Sequence, residues 1–340
     1  MNIKNSPPQL ETSIVILSWN SAAYLPRCLA SLSSQTYTDF EVILVDNGSE
    51  DGALDGLHEK YPSLNLHIHR LSSNLGFAVA NNVGARLARG KWLALLNADA
   101  YPEPDWLEQL IQAADQNPQF TFFASRQIQA NTPELLDGTG DAYHVSGLAW
   151  RQNYNHPSNK YGLQPGEVFS ACAAAALYSR DDFIKVGGFD EDYFSYFEDV
   201  DLSFRLRLIG GRCYYVSQAV VHHVGSASTG KASDFAFYHG HRNLVWTFFK
   251  DMPSLLFWAY LPLHILMNIF FIFTFLVLKK RSVVLKSKVD AFRALPAMLR
   301  KRKQIQKSRT ASTREIHRVM IKELFAPYWT SRERRNQNQK

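Results

Sequence analysis

The stretch FEVILVDNGSEDG, residues 40–52, decides the architecture. Its first half is almost continuously apolar and rich in β-branched residues, and it ends abruptly in Asp46-Asn47-Gly48-Ser49. Such a run suits a strand buried on both faces of a sheet. The pattern recurs on either side, as SIVILSWN (13–20), a weaker LNLHIHRL (64–71) and KWLALLNADA (91–100). Between these runs, AAYLPRCLASLSSQ, DGALDGLHEKYP and GFAVANNVGARLARG read as helices, the last closing on Gly90. Strands alternating with helices predict an α/β fold with a mostly parallel, Rossmann-like sheet flanked by helices. Ligands of such sheets bind beyond the carboxyl ends of the strands. Asn20, Asp46, Asn47, Ser49, Asn97 and Asp99 are therefore the first candidates for a site.

Further on, residues 119–170 carry turn signals at DGTGD and NHPSNKYG. SACAAAALYS (170–179) reads as a small-residue strand and RDDFIKVGG (180–188) as a helix. FEDVDLSFRLRLIGG (197–211) reads as a helix closed by glycines, and RCYYVSQAVVHHVG (212–225) supplies one or two strands. Alternation along AVVHHVG puts His222 and His223 on opposite faces, so only one of them can face a given site.

Composition narrows the class. Hydrophobic residues make up 46% and charged residues 20% of 340 residues, as in a folded protein with an ample core. Three cysteines, far apart and without a CxxC, suggest neither a disulfide framework nor a zinc site. No basic flank and apolar run marks the start as a signal peptide, so the catalytic part is expected in the cytoplasm. The net charge of +6 hides an asymmetry: 19 of 37 basic residues but only 4 of 31 acidic ones lie from Lys279 onward. A basic tail on an acidic body suggests an anionic partner. Neither an aromatic-interleaved sheet nor a helix-turn-helix signal accompanies it, which argues against nucleic acid. Met252–Leu278 is an uncharged run of 27 residues. A single crossing would place the basic tail opposite a cytoplasmic domain, against the positive-inside tendency. A bent hairpin or an in-plane insertion is expected instead, as a monotopic or peripheral association with the cytoplasmic face of the plasma (inner) membrane. The expected division is 1–245 for the catalytic domain, 246–282 for the membrane-associating segment and 283–340 for a basic helical tail.

No GxGxxG follows the first strand and no GxxxxGK[ST] occurs, so the usual phosphate cradles are absent. Asp46 could accept the imide N–H of a uracil or thymine ring, or could simply cap a turn. Asp99 ends a strand and suits Mg²⁺ or Mn²⁺, hard cations that share their coordination with phosphates. In GGFDEDYFSYFEDVDLSFRLR (187–207) six acids sit among aromatics. Asp201 and Arg205 are spaced to pair along a helix, and Glu198 and Asp199 open that helix, where acids meet the macrodipole favourably. Capping alone does not explain two acids in succession.

The order VILSWNS, FEVILVDNGSEDG, NLGFAVANNVGARLARGKWLALLNADA, GGFDEDYFSYFEDVDLSFRLR and VVHHVGSAS resembles the family 2 glycosyltransferases of GT-A fold, closest to their rhamnosyltransferase-like branch in bacterial polysaccharide biosynthesis. The resemblance runs from about Ser13 to Ser228, and ALPAMLRKRKQIQKSR is similar to the basic segment such enzymes often carry. It implies an inverting transfer of a sugar, in the first place rhamnosyl, from a dTDP- or UDP-sugar to a hydroxyl of a lipid-linked or polysaccharide acceptor. By the same resemblance Asp46 meets the pyrimidine, with Asn47 and Ser49 in its loop. Asn74, Gly76 and Asn82 lie near nucleotide and sugar, and Asn20 and Asn97 complete that binding set. Asp99 and His223 hold Mn²⁺ or Mg²⁺, Asp199 is the catalytic base, and Glu198 supports it or touches the acceptor. Two segments depart from the family pattern. The DxD motif reads Asn97-Ala98-Asp99, and Ala173 and Ser179 stand where relatives often carry a glycine and a paired arginine. Expected partners are the donor, the acceptor and an anionic membrane surface, with a homo-oligomer left open and no nucleic acid. The rival reading is an inactive member serving as an assembly subunit of a polysaccharide-synthesis complex.

Overall fold

The computed structural model describes residues 10–225, 233–324 and 326. The apolar runs form strands β1 (Thr12–Ser18), β2 (Phe40–Asp46), β3 (Leu66–Arg70) and β4 (Trp92–Asn97), with helices α1 (Leu25–Ser33), α2 (Leu57–Lys60) and α3 (Phe77–Leu87) between them. These four strands pair in parallel in the order β4-β1-β2-β3. α2 is only one turn long, shorter than the pattern of DGALDGLHEKYP suggested. Gly52 and Gly56 adopt φ +72° and +66°, which break a helix on its N-terminal side.

The second half completes the sheet with mixed pairing. It comprises β5 (Ala100–Pro102), α4 (Trp106–Gln116), β6 (Phe122–Gln129), β7 (Leu136–Gly138), β8 (Asp141–Tyr143), β9 (Ala149–Arg151), β10 (Gly166–Val168), β11 (Ala175–Ser179), α5 (Arg180–Lys185), a 3₁₀ turn at Glu191–Tyr193, α6 (Glu198–Leu208) and β12 (Cys213–His223). β11 runs antiparallel to β4 and β6, and β12 runs parallel to β6. The small side chains of β11 let it lie in the middle of the sheet with aromatic layers on either face. The glycines after α6 allow the chain to turn straight into β12: a Cβ on Gly211 would meet the Leu206 carbonyl oxygen at 2.9 Å.

α6 is buried on nearly every side, with only Asp199 partly exposed, so its acids do not form a solvated face. What covers it is the C-terminal part of the chain: α7 (Asp234–Asp251), α8 (Ser254–Ile272) continued by a π-helical turn (Phe273–Leu278), α9 (Val283–Arg293), α10 (Leu295–Lys307) and α11 (Thr313–Arg318). α7 runs unbroken through residue 245, so the boundary expected there falls inside a helix. Its Lys250 is wholly buried and binds Asp190 (2.6 Å) and Asp201. The uncharged run is one continuous helix of 25 residues, Ser254–Leu278, and not a bent hairpin, the first of the two arrangements expected from the charge distribution. Pro262 stays within the helix, and Pro253 merely precedes it. The end of the VVHHVGSAS motif and the last part of the basic tail lie outside the described residues.

Candidate active site

Strand ends, two loops and the start of α6 enclose a cavity of about 880 Å³ at the carboxyl edge of the sheet. Topology explains which side chains meet there. β5 pairs with β12 so that Ala100 lies opposite His223, which sets Asp99 beside the imidazole. β7 pairs with β6, itself the neighbour of β12, and this carries Asp137 to the other side of the same ring. His223 Nε2 lies 3.4 Å from Asp99 Oδ1, and Nδ1 lies 2.8 Å from Asp137 Oδ2. His222 points away from the cavity and binds Glu103 at 2.6 Å, as the alternation predicted.

Burial pushes both carboxyls of this cluster up, but their partners outweigh it. His223 holds Asp99 below the usual range, and Arg151 with His223 holds Asp137 at about 2. Burial would lower the imidazole, yet Asp137 and Asp99 together raise it to about 9. His223 Nε2 is buried with no hydrogen-bond partner among the described residues. One imidazole nitrogen and one carboxylate oxygen, aimed at the same space, fit a divalent cation that completes its shell with phosphate oxygens and water. Among the described residues no group of three or more His, Cys, Asp and Glu side chains could hold a metal on its own.

The opposite wall is acidic in another way. Glu198 and Asp199 open α6, and Asp141 joins them from the β8–β9 hairpin, where it lies opposite Arg151 in register. Asp199 Oδ1 accepts from the Val200 N–H (2.8 Å), and Oδ2 accepts weakly from the Ala173 N–H (3.4 Å). Burial raises its carboxyl, with Arg151 and those two donors opposing. Burial and the neighbouring Asp199 push Glu198 well above its ordinary range, and its Oε2 has no hydrogen-bond partner among the described residues. Asp141 is pushed up to about 7 by burial and by Asp199. Arg151 stands between the two groups, bound to Asp137 and, through Nη2, to Cys172 Sγ at 3.1 Å. It is the one Lys or Arg among the described residues lining the cavity.

The loop before α6 is strained. Phe194, Tyr196 and Phe197 take φ of +64°, +67° and +70°, costly for bulky side chains and found where a site over-determines the backbone. Asn243 of α7 holds it by donating to the carbonyls of Tyr193, Ser195 and Tyr196 at 2.6–3.2 Å. Gly76 serves the same loop: at φ +89° its missing Cβ leaves room for the Phe194 ring, which a Cβ would meet at 2.6 Å.

Of the residues expected from sequence, Asn47, Asn74, Gly76, Asn97, Asp99, Glu198, Asp199 and His223 line the cavity. Asn47 and Asn74, expected near the nucleotide, chiefly bind each other and the neighbouring backbone. Asn47 Nδ2 donates to Asn74 Oδ1 (2.9 Å), and Asn47 Oδ1 accepts from the Leu75 N–H. Asn82 is a departure, lying behind the wall. Its amide bonds the N–H and C=O of Phe189 and reaches Glu191, latching the GGFDE loop to α3. Asn20 and Ser49 link two loops outside the lining, the Asn20 N–H donating to Ser49 Oγ at 2.9 Å. Asp46 is buried beside them, its Oδ1 without a hydrogen-bond partner among the described residues. Ala173 touches the cavity, but Ser179 caps α5 elsewhere.

Asp190, Glu191 and Asp192 do not form the cavity wall. Asp190 is bound by Lys250 and Lys301, Asp192 by Lys301 (2.7 Å), and Asp201 by Arg205 (2.7 Å) and Lys250. Sequence reasoning missed Asp137, Asp141 and Arg151. DGTGD signals only a turn, and nothing local marks its acids as partners of residues far along the chain.

A cavity of about 880 Å³, with a low-titrating carboxylate–imidazole pair at one end and carboxyls of raised proton affinity at the other, has parts that suit a group-transfer site. The family model for glycosyl transferase family 2 matches residues 13–187, just over half of the chain. The chain belongs to that family.

Relatives bear this out. An N-acetylglucosaminyl-diphospho-decaprenol L-rhamnosyltransferase of Mycobacterium tuberculosis is 31% identical over 255 residues, covering 66% of this chain and 80% of that protein. Crystal structures share the fold of this family 2 glycosyltransferase. GalNAc-T7, solved with UDP, GalNAc and Mn²⁺, superposes with a TM-score of 0.59 at 20% identity, over 73% of this chain and 49% of that one. S. aureus TarS with UDP-GlcNAc gives 0.57 at 17% identity, over 91% and 89%. At such identities the likeness speaks for the GT-A fold, as expected from the motif order.

Proposed function

We propose that this family 2 glycosyltransferase transfers a sugar, in the first place L-rhamnosyl, from a dTDP- or UDP-sugar to a hydroxyl of a lipid-linked polysaccharide precursor, with inversion, at the cytoplasmic face of the plasma membrane. The observation that carries the reading is the opposed arrangement of Asp99–His223 and Asp199 across one cavity. A free hydroxyl is a weak nucleophile, so a carboxylate must take its proton as the new bond forms. Asp199 has the raised proton affinity and partial exposure that this role needs. The acceptor oxygen attacks the anomeric carbon, the bond to the diphosphate breaks with its electron pair going to the phosphate oxygen, and the proton passes to Asp199. One displacement with one base inverts the configuration, and no carboxylate nucleophile is needed.

Asp99 and His223 would hold Mn²⁺ or Mg²⁺ against the diphosphate, where a divalent cation offsets the charge developing on the leaving group. Asp137 fixes the imidazole from behind, the usual support for a ligating histidine. Glu198, kept protonated, has a hydroxyl to donate to the acceptor. The bare Oδ1 of Asp46 suits the imide N–H of a pyrimidine. The donor and acceptor are supported by the mycobacterial relative, whose name carries both rhamnosyl transfer and a diphospho-decaprenol substrate.

A panel of dTDP- and UDP-sugars with Mn²⁺ or Mg²⁺ and a polyprenyl-diphosphate-linked N-acetylglucosamine acceptor tests this. Transfer from dTDP-rhamnose giving the opposite anomer is expected. Retained configuration, or transfer with no nucleotide sugar consumed, would overturn the mechanism.

A further inference from the structure

The helix Ser254–Leu278 has a mean hydropathy of 2.3, yet only 17% of its apolar window is buried. Its polar side chains face the protein. His264 Nδ1 meets the Ser146 carbonyl at 2.7 Å, Asn268 is buried, and the Tyr260 hydroxyl bonds His317 at 2.7 Å. The other side presents Leu255, Trp258, Leu266, Ile269, Phe273 and Leu278 to solvent, with Trp258 70% and Leu278 66% exposed. Exposed apolar residues continue on α9 at Leu285, Val289 and Phe292. A helix with one side committed to its own protein does not cross a bilayer alone. It can lie flat in an interface with the apolar side down.

Where this helix ends is the new point. Its last turn packs Phe275 against Phe237 of α7, ring centroids 4.5 Å apart. The chain then turns through Lys279, Lys280 and Arg281. The Arg281 N–H bonds the Phe275 carbonyl (2.7 Å), and its guanidinium lies over Phe237 and 3.3 Å from Asp234. Asp234, the partner of Arg281, directly precedes Phe235, which lines the catalytic cavity together with Phe194 and Tyr196. The exposed apolar strip therefore leads to a basic corner that lies beside the start of α7, next to the cavity lining. Lys279 and Lys280 are exposed there, Lys279 Nζ lying over the Phe275 ring.

We propose that this corner receives the diphosphate of a lipid-linked acceptor: the hydrocarbon lies along the outer side of α8, Lys279, Lys280 and Arg281 meet the diphosphate, and the sugar hydroxyl reaches past Phe235 toward Asp199. The proposal rests on the transferase reading and adds the direction from which its acceptor arrives. Charge decides the occupant. A protein partner would be met by charges of both signs, whereas here an uncharged strip ends in three consecutive bases, and more than half of all basic residues lie from Lys279 onward. Ammonium and guanidinium donors are the natural partners of phosphate oxygens.

The test is co-sedimentation of the full chain with three kinds of vesicle: phosphatidylcholine alone, phosphatidylcholine with phosphatidylglycerol, and phosphatidylcholine with polyprenyl diphosphate at the same surface charge. The variant Lys279→Gln/Lys280→Gln/Arg281→Gln should lose up to about fivefold per base on phosphatidylglycerol, the worth of a base at any anionic surface, and clearly more on polyprenyl diphosphate. Equal losses on both, or none, would overturn the diphosphate site. Leu266→Glu/Phe273→Glu should weaken binding to all three vesicles, and unchanged binding would overturn the docking face. Titration with dTDP and UDP checks that each variant is folded. If the unaltered chain binds neither nucleotide, the transferase reading falls, while the vesicle comparison still decides where lipid docks.

Discussion

Two acidic clusters face each other across one cavity, and they titrate in opposite directions. Asp99 and Asp137 are held low, whereas Asp199, Glu198 and Asp141 are held high. Burial pushes all five up, so burial does not separate them. The difference is that a cationic side chain contacts Asp99 and Asp137 directly, whereas Asp141 and Glu198 are raised further by the neighbouring Asp199. Asp137 has both Arg151 and His223, and Asp99 has His223 with backbone donors. Asp199 has two backbone donors, one of them long, and Arg151 only at a distance. An anionic end suits a cation, and an end whose carboxyls have a raised proton affinity suits a base that must take a proton from a hydroxyl. Environments that drive like groups apart in this way mark the division of labour in many sites.

The largest effect should come from Asp199→Asn. Transfer is expected to fall by about 10²–10⁴, the usual worth of a positioned base, with nucleotide binding unchanged. Release of nucleoside diphosphate at saturating donor measures it, and a fully active variant would erase the contrast between the two ends. Asp137→Asn should act only at the other end, lowering Mn²⁺ affinity by about 10–100-fold. Paramagnetic resonance of free Mn²⁺ reads this directly, and an unchanged affinity would make Asp137 a purely structural acid.

A pH experiment sharpens the comparison further. Asp141 titrates near 7 when folded, against an ordinary 3.8. Between those values the folded chain keeps a proton that the unfolded chain has released, so this group's contribution to stability falls as pH rises from about 4 to about 7. Asp141→Asn should remove that decline, a slope of at most about 1.4 kcal/mol per pH unit. Denaturation midpoints at about pH 5 and about pH 7.5 would show the variant gaining on the parent at the higher pH. The smallest effect is expected from a third acidic set, outside the cavity. Lys301→Ala removes a half-exposed partner of Asp190 and Asp192 and should cost under about 1 kcal/mol by thermal unfolding.

Much of the fold was legible because it is local. Period and β-branching located β1 to β4, α3 and α6, and four-residue spacing foretold the Asp201–Arg205 pair. Alternation correctly sent His222 and His223 to opposite faces. Errors arose where glycine conformation or distant packing overrode the pattern. Gly52 and Gly56 shortened α2, and Asn82 spends its amide on a loop more than a hundred residues away. Asp190 of GGFDE is bound by Lys250 and Lys301, from helices that have no local tie to it.

The sequence by itself determined the strand order's raw material, the acids available for chemistry, the uncharged run and the basic tail. Each is a property of residue type and short-range spacing. Only the tertiary structure decided which acids hold protons, because that depends on what lies within a few ångströms of each carboxylate. Arg151 lies 14 positions from Asp137 in the chain, and His223 lies 86. Only the fold, likewise, brought the end of the apolar helix to the rim of the cavity, since that contact joins Phe237 to Phe275 across two helices. Charge and apolarity are written along the chain, but their effects act through space.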